Sequence, residues 1–181
     1  MKKLIVTMVV LVGLVSGCGS LMTPTVVRIP FPVEEYEALR PRFGTGTAIV
    51  RGQAFMRTMI GEVRYAAGSP VVITPVTSYS RQEVDLVGNF DFHDYVFEGP
   101  CYPNFVPAEP DSRIKEFMAG TTADGEGRFE FKHVPYGDYY LLTEVKWYVP
   151  SGQYHRSIQG GRITKQISVK DGQEYNIILT R

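Results

Sequence analysis

The sequence predicts an all-β protein, a β-sandwich of about seven strands. From Thr47 onwards, apolar and polar residues alternate with a period of two, which is typical of half-buried strands. Glycine and proline recur at the short intervals that separate strands in sandwiches. The 181 residues also include 10 Phe and 11 Tyr, residue types that favour strands.

Length and charge limit the class of protein. A chain of this size suits one domain rather than two. The 19 basic and 19 acidic residues balance, so the formal net charge is zero. Because phosphate binding needs a concentrated basic surface, nucleic acid is excluded as the main partner.

The first residues have the pattern of an export signal. Two lysines follow Met1, and residues 4–15 carry no charge, a stretch too short for an ordinary membrane-spanning helix. The segment ends in Leu14-Val15-Ser16-Gly17-Cys18, which resembles a bacterial lipobox. The resemblance implies that residues 1–17 are a lipoprotein signal peptide and that Cys18 is lipidated. The alternative is an ordinary signal peptide that contains a cysteine by chance.

Processing at Cys18 would change the charge and the cysteine count. The mature chain would lose both lysines and carry a net charge of −2. Cys101 would then have no intrachain partner, which excludes a disulfide framework. We expect Cys101 to be a buried small hydrophobe rather than a reactive thiol. Gly19 stands where enterobacterial lipoproteins carry an Asp for inner-membrane retention, so the resemblance implies the outer membrane.

Residues 18–44 are interpreted as a tether before the body of the domain, residues 45–181. Prolines exclude a long helix or a central strand here; they are Pro24, Pro30, Pro32 and Pro41. One short helix fits between Val33 and Arg40, because Pro32 precedes it and two glutamates lie near its positive end.

The first strands of the body follow the period of two. In the strand that begins at Thr47, Arg51 and Gln53 lie on one face, and the other face carries the apolar residues Ala48, Val50, Ala54 and Met56. Gly52 predicts a bulge or a close backbone approach. Two further short strands are predicted over Glu62–Ala66 and Val71–Thr74.

Four more strands are predicted after residue 122, over Arg128–Val134, Asp138–Val149, Arg162–Val169 and Glu174–Thr180. In the first of them, Phe129, Phe131 and His133 share the inward face. In the second, Thr143 is the polar exception on the apolar side. Gly160-Gly161 is expected to form a turn, and Asp171-Gly172 is a tight hairpin signal.

A long insertion, about residues 77–116, separates the early strands from the later ones. It is rich in aromatic residues, namely Phe90, Phe92, Tyr95, Phe97, Tyr102 and Phe105. These rings are a candidate binding surface for a protein or for the faces of sugars. The alternative is a satellite core that pins the insertion to the sandwich.

One stretch of the later sequence is similar to a known family. Asp124-Gly125-Glu126-Gly127-Arg128-Phe129-Glu130-Phe131, followed by Pro135-Tyr136-Gly137-Asp138-Tyr139, resembles the carboxypeptidase regulatory-like domain, a transthyretin-like sandwich. The family's turn and core motif falls on Asp124, Gly127, Phe129, Phe131, Pro135, Gly137 and Tyr139. The resemblance covers about residues 45–180 with a gap at the insertion. It implies a non-catalytic module and carries over no catalytic residue.

No catalytic or metal-binding pattern stands out from the sequence. Asp91-Phe92-His93-Asp94 gathers possible ligands, but the spacing of His133 and His155 fits no zinc motif. Asp124 to Gly127 lacks the oxygens of a calcium loop and is interpreted as a turn. Nucleophile elbows and phosphate loops are absent. We therefore expect no metal, no cofactor and no enzymatic activity.

These observations predict a non-enzymatic lipoprotein that is anchored to the bacterial outer membrane. The first expectation is a structural or protein-binding module with an envelope protein as its partner. The alternative is a carbohydrate- or small-ligand-binding lipoprotein that uses the aromatic segment of the insertion, residues 90–105. A secretion-complex lipoprotein is a more remote alternative, based on a fold-level analogy.

Overall fold

A computed structural model describes residues 25–87, 105–107, 111–151 and 155–181. Its first sheet is built around β2 (Ala48–Arg57). On one side, β10 (Glu174–Leu179) pairs with β2 in parallel. On the other side, β7 (Arg128–Val134) and β3 (Val63–Tyr65) pair with β2 antiparallel, β7 along its first half and β3 along its end.

The second sheet is antiparallel throughout. Its strand order is β6 (Ala119–Thr122), β4 (Pro70–Pro75), β8 (Gly137–Ser151) and β9 (His155–Val169). Eight strands of the described residues therefore form the two sheets, and the prediction of a mostly β, two-sheet protein is confirmed. A further pair of short strands, β1 (Thr25–Val27) and β5 (Phe105–Pro107), runs parallel outside both sheets.

The main hydrophobic core lies between the two sheets. The predicted inward faces are buried: β2 contributes Ala48, Val50, Ala54 and Met56, β7 contributes Phe129 and Phe131, and β8 contributes Tyr139, Leu141 and Val145. Trp147, Tyr175 and Ile177 pack against this core while remaining partly exposed. Thr143, the polar exception, is buried, and its hydroxyl donates to the Pro70 carbonyl oxygen at 2.8 Å. The period of two thus identified the core.

The strand β7 contains a bulge that the sequence did not predict. Ala48 pairs with Val134 and Val50 pairs with Phe131, so two residues of β7 face the single residue Ile49 of β2. His133 adopts a left-handed φ of 57° at this bulge. The prediction that His133 faces inward with the two phenylalanines is wrong, because the bulge exposes His133 and gives the buried position to Val134.

Two predicted turns are also corrected. The strand β9 runs through Gly160 and Gly161 without interruption, pairing them with Lys146 and Val145, and the hairpin reverses only after Ser151. Gly160 is required because its φ is 113° and a β-carbon there would lie 1.9 Å from the Val145 carbonyl oxygen. Asp171-Gly172 is a turn but not a hairpin, since β9 and β10 belong to different sheets.

Two hairpins extend past one end of the sandwich body. In the first sheet, the Ala66 backbone N–H donates to the Ala54 carbonyl oxygen, and the β2–β3 pair continues beyond this bond to Arg57 and Val63. In the second sheet, β8 and β9 continue past Thr143, which lies opposite Val71 near the start of β4. The two extensions touch, because β3 contacts β8. We call residues 55–65, 144–151 and 155–161 the hairpin end.

A second, smaller hydrophobic cluster joins the segment predicted as a tether to the insertion. The helix α1 (Val33–Leu39) begins after Pro32, as predicted, and a 3-10 turn (Arg40–Arg42) follows it. The helices α2 (Ser78–Val87) and α3 (Ser112–Lys115) lie in the insertion. The buried side chains of this cluster are Ile29, Phe31, Leu39, Tyr79, Ile114 and Phe117.

Polar contacts fix the same cluster. The Ser78 backbone N–H donates to both carboxylate oxygens of Glu35 at 3.0 Å, and Arg113 Nη2 donates to the Phe31 carbonyl oxygen at 2.8 Å. Residues 29–43 therefore pack against the start and the end of the insertion. Among the residues that the structure describes, no helix is long and apolar enough to cross a membrane.

Candidate binding surface on the first sheet

Most of the site residues predicted in the insertion lie outside the described residues. The residues concerned are Phe90, Phe92, Tyr95, Phe97, Cys101 and Tyr102, together with the segment Asp91–Asp94. Cys18, the predicted lipidation site, also lies outside the described residues. Phe105 belongs to β5, for which only the backbone is described. The lipidation site and the aromatic contact surface stay predictions.

The residues of the turn and core motif form one structural unit. The carboxylate of Asp124 accepts hydrogen bonds from the backbone N–H groups of Glu126 and Arg128, both at 2.8 Å, and these bonds lower its pKa. Gly127 takes a φ of 74° that completes the turn. Phe129, Phe131, Pro135 and Tyr139 are buried beyond it. The motif therefore forms a turn between the two sheets and part of the core, so its role is structural.

Beside Gly137 and Tyr139 lies a small cavity of about 200 Å³, which is bordered by Arg42 and Tyr136. The guanidinium of Arg42 stacks over the Tyr136 ring, 5.4 Å from its centroid. Burial raises the pKa of Tyr139 to about 12, so its hydroxyl stays protonated at neutral pH. This cavity contains no pair of groups suited to acid–base catalysis.

An exposed array of polar side chains lies on the outer face of the first sheet. The strand alternation turns Arg51, Gln53 and Phe55 of β2 away from the core. The strand register then sets their neighbours in rows: Asn176 and Glu130 flank Arg51, Ile178 and Arg128 flank Gln53, and Tyr65 lies opposite Phe55. The surface therefore changes from charged to aromatic along β2. We call these eight residues the outer face.

Charge pairing orders the polar part of the outer face. The guanidinium of Arg51 bridges two strands, since its Nε donates to Glu130 of β7 and its Nη1 donates to Glu174 of β10 at 2.7 Å. The bond from Arg51 is the main cause of the lowered pKa of Glu130. Gln53 Nε2 donates to the Glu126 carbonyl oxygen at 2.8 Å. These contacts hold Arg51 and Gln53 in fixed positions at the centre of the face.

The other part of the outer face is aromatic. The rings of Phe55 and Tyr65 meet edge to face, with centroids 6.3 Å apart and an interplanar angle of 76°. Tyr65 of β3 is 43% exposed, and Ile178 of β10, on the other side of β2, is 51% exposed. A planar ring that is anchored by a second ring offers a rigid apolar platform to a ligand.

A groove of about 690 Å³ runs over the polar part of this face and reaches the edge of the second sheet at Thr121 and Thr122. Phe55 and Tyr65 do not line it. Arg51, Gln53 and Asn176 contribute its polar walls. The groove crosses Gly52, where a side chain would collide with Phe129 and with the Ile177 carbonyl oxygen. The close backbone approach predicted at Gly52 is therefore present.

The arrangement offers groups that can bind a ligand. Planar amide and guanidinium groups donate to ligand hydroxyls, and the aromatic rings take an apolar ligand face. The described residues contain no cluster of three His, Cys, Asp or Glu side chains that could hold a metal ion. The sequence placed Arg51 and Gln53 on the exposed side of β2 but did not identify a site, because Asn176 and Tyr65 join them only through strand pairing.

The comparisons with known proteins give a structural similarity. No family model and no curated protein matches the chain. Among solved structures, the crystal structure of a Pseudomonas aeruginosa protein that is proposed to bind carbohydrate superposes with a TM-score of 0.70 at 28% sequence identity. The match covers 84% of this chain and 99% of the Pseudomonas protein. Almost the whole of that protein therefore has a counterpart here.

Proposed function

We propose that this protein is a non-enzymatic carbohydrate-binding module, anchored by a lipid at Cys18 to the outer membrane, and that the outer face of its first sheet contacts the glycan. The observation that carries the proposal is the pairing of an exposed aromatic platform with fixed planar polar groups on one sheet face. The similar Pseudomonas structure, whose protein is itself proposed to bind carbohydrate, supports the same class of ligand.

Sugars present two kinds of surface, and the outer face has a partner for each. The C–H face of a pyranose ring is apolar and packs on an aromatic ring, the role proposed for Tyr65. The hydroxyls at the ring edge accept and donate hydrogen bonds, the role proposed for Asn176 and for the free donors of Arg51. Because Arg51 is already held by two carboxylates, little side-chain entropy is lost when a ligand binds.

The groove also indicates the shape of the ligand. It is open and runs along the face instead of forming an enclosed pocket, so it suits an extended glycan chain better than a single buried sugar. We place the chain in the carboxypeptidase regulatory-like group on the strength of its turn and core motif. We propose no catalytic role, because the resemblance is to a non-catalytic module and the sequence has no recognisable catalytic motif.

A structural or protein-binding role in the envelope, the first expectation from the sequence, has less support than carbohydrate binding. No feature of the outer face requires a protein partner, whereas the similar solved structure favours a glycan. The aromatic residues of the insertion remain an alternative location for the same function. Both locations are compared in the experiment below.

The test is a glycan-array screen followed by calorimetric titration of the glycan that binds. The Tyr65→Ala variant is expected to weaken binding about tenfold, which corresponds to the loss of one stacked ring. Asn176→Ala should weaken binding by a similar factor. The matched control is Tyr136→Ala, since Tyr136 is 49% exposed but lies outside the outer face, and it should bind as the unmodified chain does.

Two outcomes would contradict the proposal. Full affinity in Tyr65→Ala together with loss of affinity in Phe90→Ala or Phe92→Ala would move the site to the insertion. Absence of any glycan ligand, alongside specific capture of one envelope protein that Tyr65→Ala abolishes, would assign the outer face to a protein partner.

A further inference from the structure

The hairpin end carries exposed apolar residues for which the fold gives no reason. Met59 is fully exposed and its neighbour Ile60 is 83% exposed, and both lie at the tip of the β2–β3 hairpin. Turn positions are usually occupied by polar residues or glycine. Two adjacent large apolar side chains at such a tip indicate a contact with an apolar phase.

The tip is a rigid turn that presents both side chains outwards. Gly61 N donates to the Thr58 carbonyl oxygen at 2.9 Å, and Thr58 N donates to the Glu62 carbonyl oxygen at 2.8 Å. The Thr58 hydroxyl accepts a third bond from Glu62 N at 3.0 Å. Gly61 takes a φ of 88°, which residues with a β-carbon adopt rarely. The exposure of Met59 and Ile60 is therefore fixed by the backbone.

The second hairpin adds an aromatic residue and basic residues at the same end. Tyr148 of β8 is strongly exposed. Over the whole hairpin end, the exposed cations are Arg57, Arg64, Lys146 and Arg156, and the carboxylates are Glu62 and Glu144. Arg64 pairs with Glu62 and Lys146 pairs with Glu144. Arg57 and Arg156 have no carboxylate partner among the described residues, so this end is basic although the chain as a whole is neutral.

We propose that the hairpin end docks on an anionic lipid surface, with Met59 and Ile60 inserted among the acyl chains. The composition of this end matches a bilayer interface: apolar side chains at the tip of one hairpin, an exposed tyrosine on the other, and exposed arginines on both. A convex tip suits a fluid surface, which closes around it, whereas a protein partner would need a matching cavity. This contact is separate from lipidation of Cys18. It uses the tip of the β2–β3 hairpin, whereas the proposed glycan contact uses Phe55 and Tyr65 at the base of the same hairpin.

Depth-dependent fluorescence quenching tests the proposal on the full chain bound to vesicles. Met59→Trp places a probe at the tip, and subtraction of the parent spectrum removes the signal of the single native Trp147. On vesicles of phosphatidylcholine and phosphatidylglycerol with brominated acyl chains, this probe is expected to shift to the blue and to be quenched. Asp171→Trp, in a turn at the opposite end of the sandwich, is the matched control and should show neither change.

Two further variants test the chemistry of the contact. Ile60→Ser in the Met59→Trp chain should reduce quenching by at least half, because it removes the second inserted side chain. Arg57→Gln and Arg156→Gln should each weaken the dependence on phosphatidylglycerol about fivefold. All four side chains are exposed, so the thermal midpoint of unfolding should stay unchanged and show that each variant folds.

The proposal is overturned if the vesicle-bound chain shows no quenching at Met59→Trp. Equal quenching at Met59→Trp and Asp171→Trp would also overturn it, since that result means attachment without a defined orientation. If the probe is unquenched by lipid but becomes shielded from iodide in native envelopes, the tip binds a protein partner instead.

Discussion

The ring of Phe129 lies against Gly52 on the neighbouring strand, so that a β-carbon at residue 52 would come within 2.5 Å of its Cζ atom. We predict that Gly52→Ala lowers the free energy of unfolding by about 1–3 kcal/mol, because the ring must leave its position in the core. Urea denaturation, followed by Trp147 fluorescence, measures the change. Gly120→Ala is the control: its β-carbon would approach no atom closer than 4.0 Å, and the variant should keep its stability. Equal losses in both variants would contradict the prediction.

The left-handed backbone conformation of His133 predicts a substitution that raises the free energy of unfolding. A residue with a β-carbon costs about 1 kcal/mol in this conformation, whereas glycine adopts it without strain. His133→Gly should therefore raise the free energy of unfolding by about 0.5–1 kcal/mol, despite the added freedom of the unfolded chain. Lys132→Gly, at the adjacent position with an ordinary φ, should lower it. The same denaturation experiment compares the two, and a destabilised His133→Gly would show that the bulge does not store this strain.

The buried hydroxyl of Thr143 provides a test of a single hydrogen bond. It donates to the Pro70 carbonyl oxygen at 2.8 Å within the core. Thr143→Val keeps the shape of the side chain but removes the donor, so it should lower the free energy of unfolding by about 1 kcal/mol. Thr143→Ser keeps the donor and loses a methyl group. If Thr143→Val proves as stable as the unmodified chain, the carbonyl oxygen must be satisfied by another donor.

Asp111 gives a pH prediction. Its carboxylate caps α3 through the Arg113 backbone N–H at 2.9 Å and pairs with the Arg113 side chain. The side-chain hydrogen bond from Arg113 is the main reason that the pKa of Asp111 falls from 3.8 to about 2. Since the folded pKa lies below the unfolded value, the stabilisation is complete above about pH 4 and is lost as the pH falls towards 2.

The corresponding variant is Asp111→Asn, which cannot titrate. The difference in thermal midpoint between the unmodified chain and this variant should be largest near neutral pH and should shrink as the pH falls towards 2. Other carboxylates with lowered pKa values, such as Asp124 and Glu130, titrate in both chains and cancel in the difference. A difference that stays constant from pH 5 to pH 2 would show that Asp111 acts only through its shape.

The alternation of side chains was enough to predict seven of the ten strands that the structure describes, and most of the core; β1, β5 and β6 were not predicted. The segment Arg128–Val134 has the predicted bounds, and α1 begins where Pro32 indicated. Local patterns failed where the decisive partner was distant in sequence. The conformation of His133 depends on the register with Ala48 and Val50, and Gly160 is required by the carbonyl group of Val145. Neither partner can be inferred from the residues beside these positions.

The candidate site was predicted only in part for the same reason. Arg51 and Gln53 are recognisable as exposed strand residues, but Asn176 reaches them through the parallel pairing of β2 with β10. That pairing was not anticipated, since Asp171-Gly172 favoured a hairpin within one sheet. The aromatic character of residues 90–105 favoured the insertion as the binding surface. The ring of Tyr65 lies instead on a three-residue strand, and the sequence does not specify the pairing of this strand with Phe55.

The parallel partner of β2 has a consequence for how the protein folds. Thr47 and Gly172, which are 125 residues apart, are joined by a hydrogen bond at the point where β2 and β10 begin to pair. Closing so long a loop is entropically costly, and chains dominated by such distant contacts cross their folding barrier slowly. Until β10 docks, β2 keeps an unpaired edge that could recruit a strand from another molecule. The outer face would thus be completed in one of the last steps of folding, and a chain that ended before Glu174 would lack both the complete outer face and the protected edge.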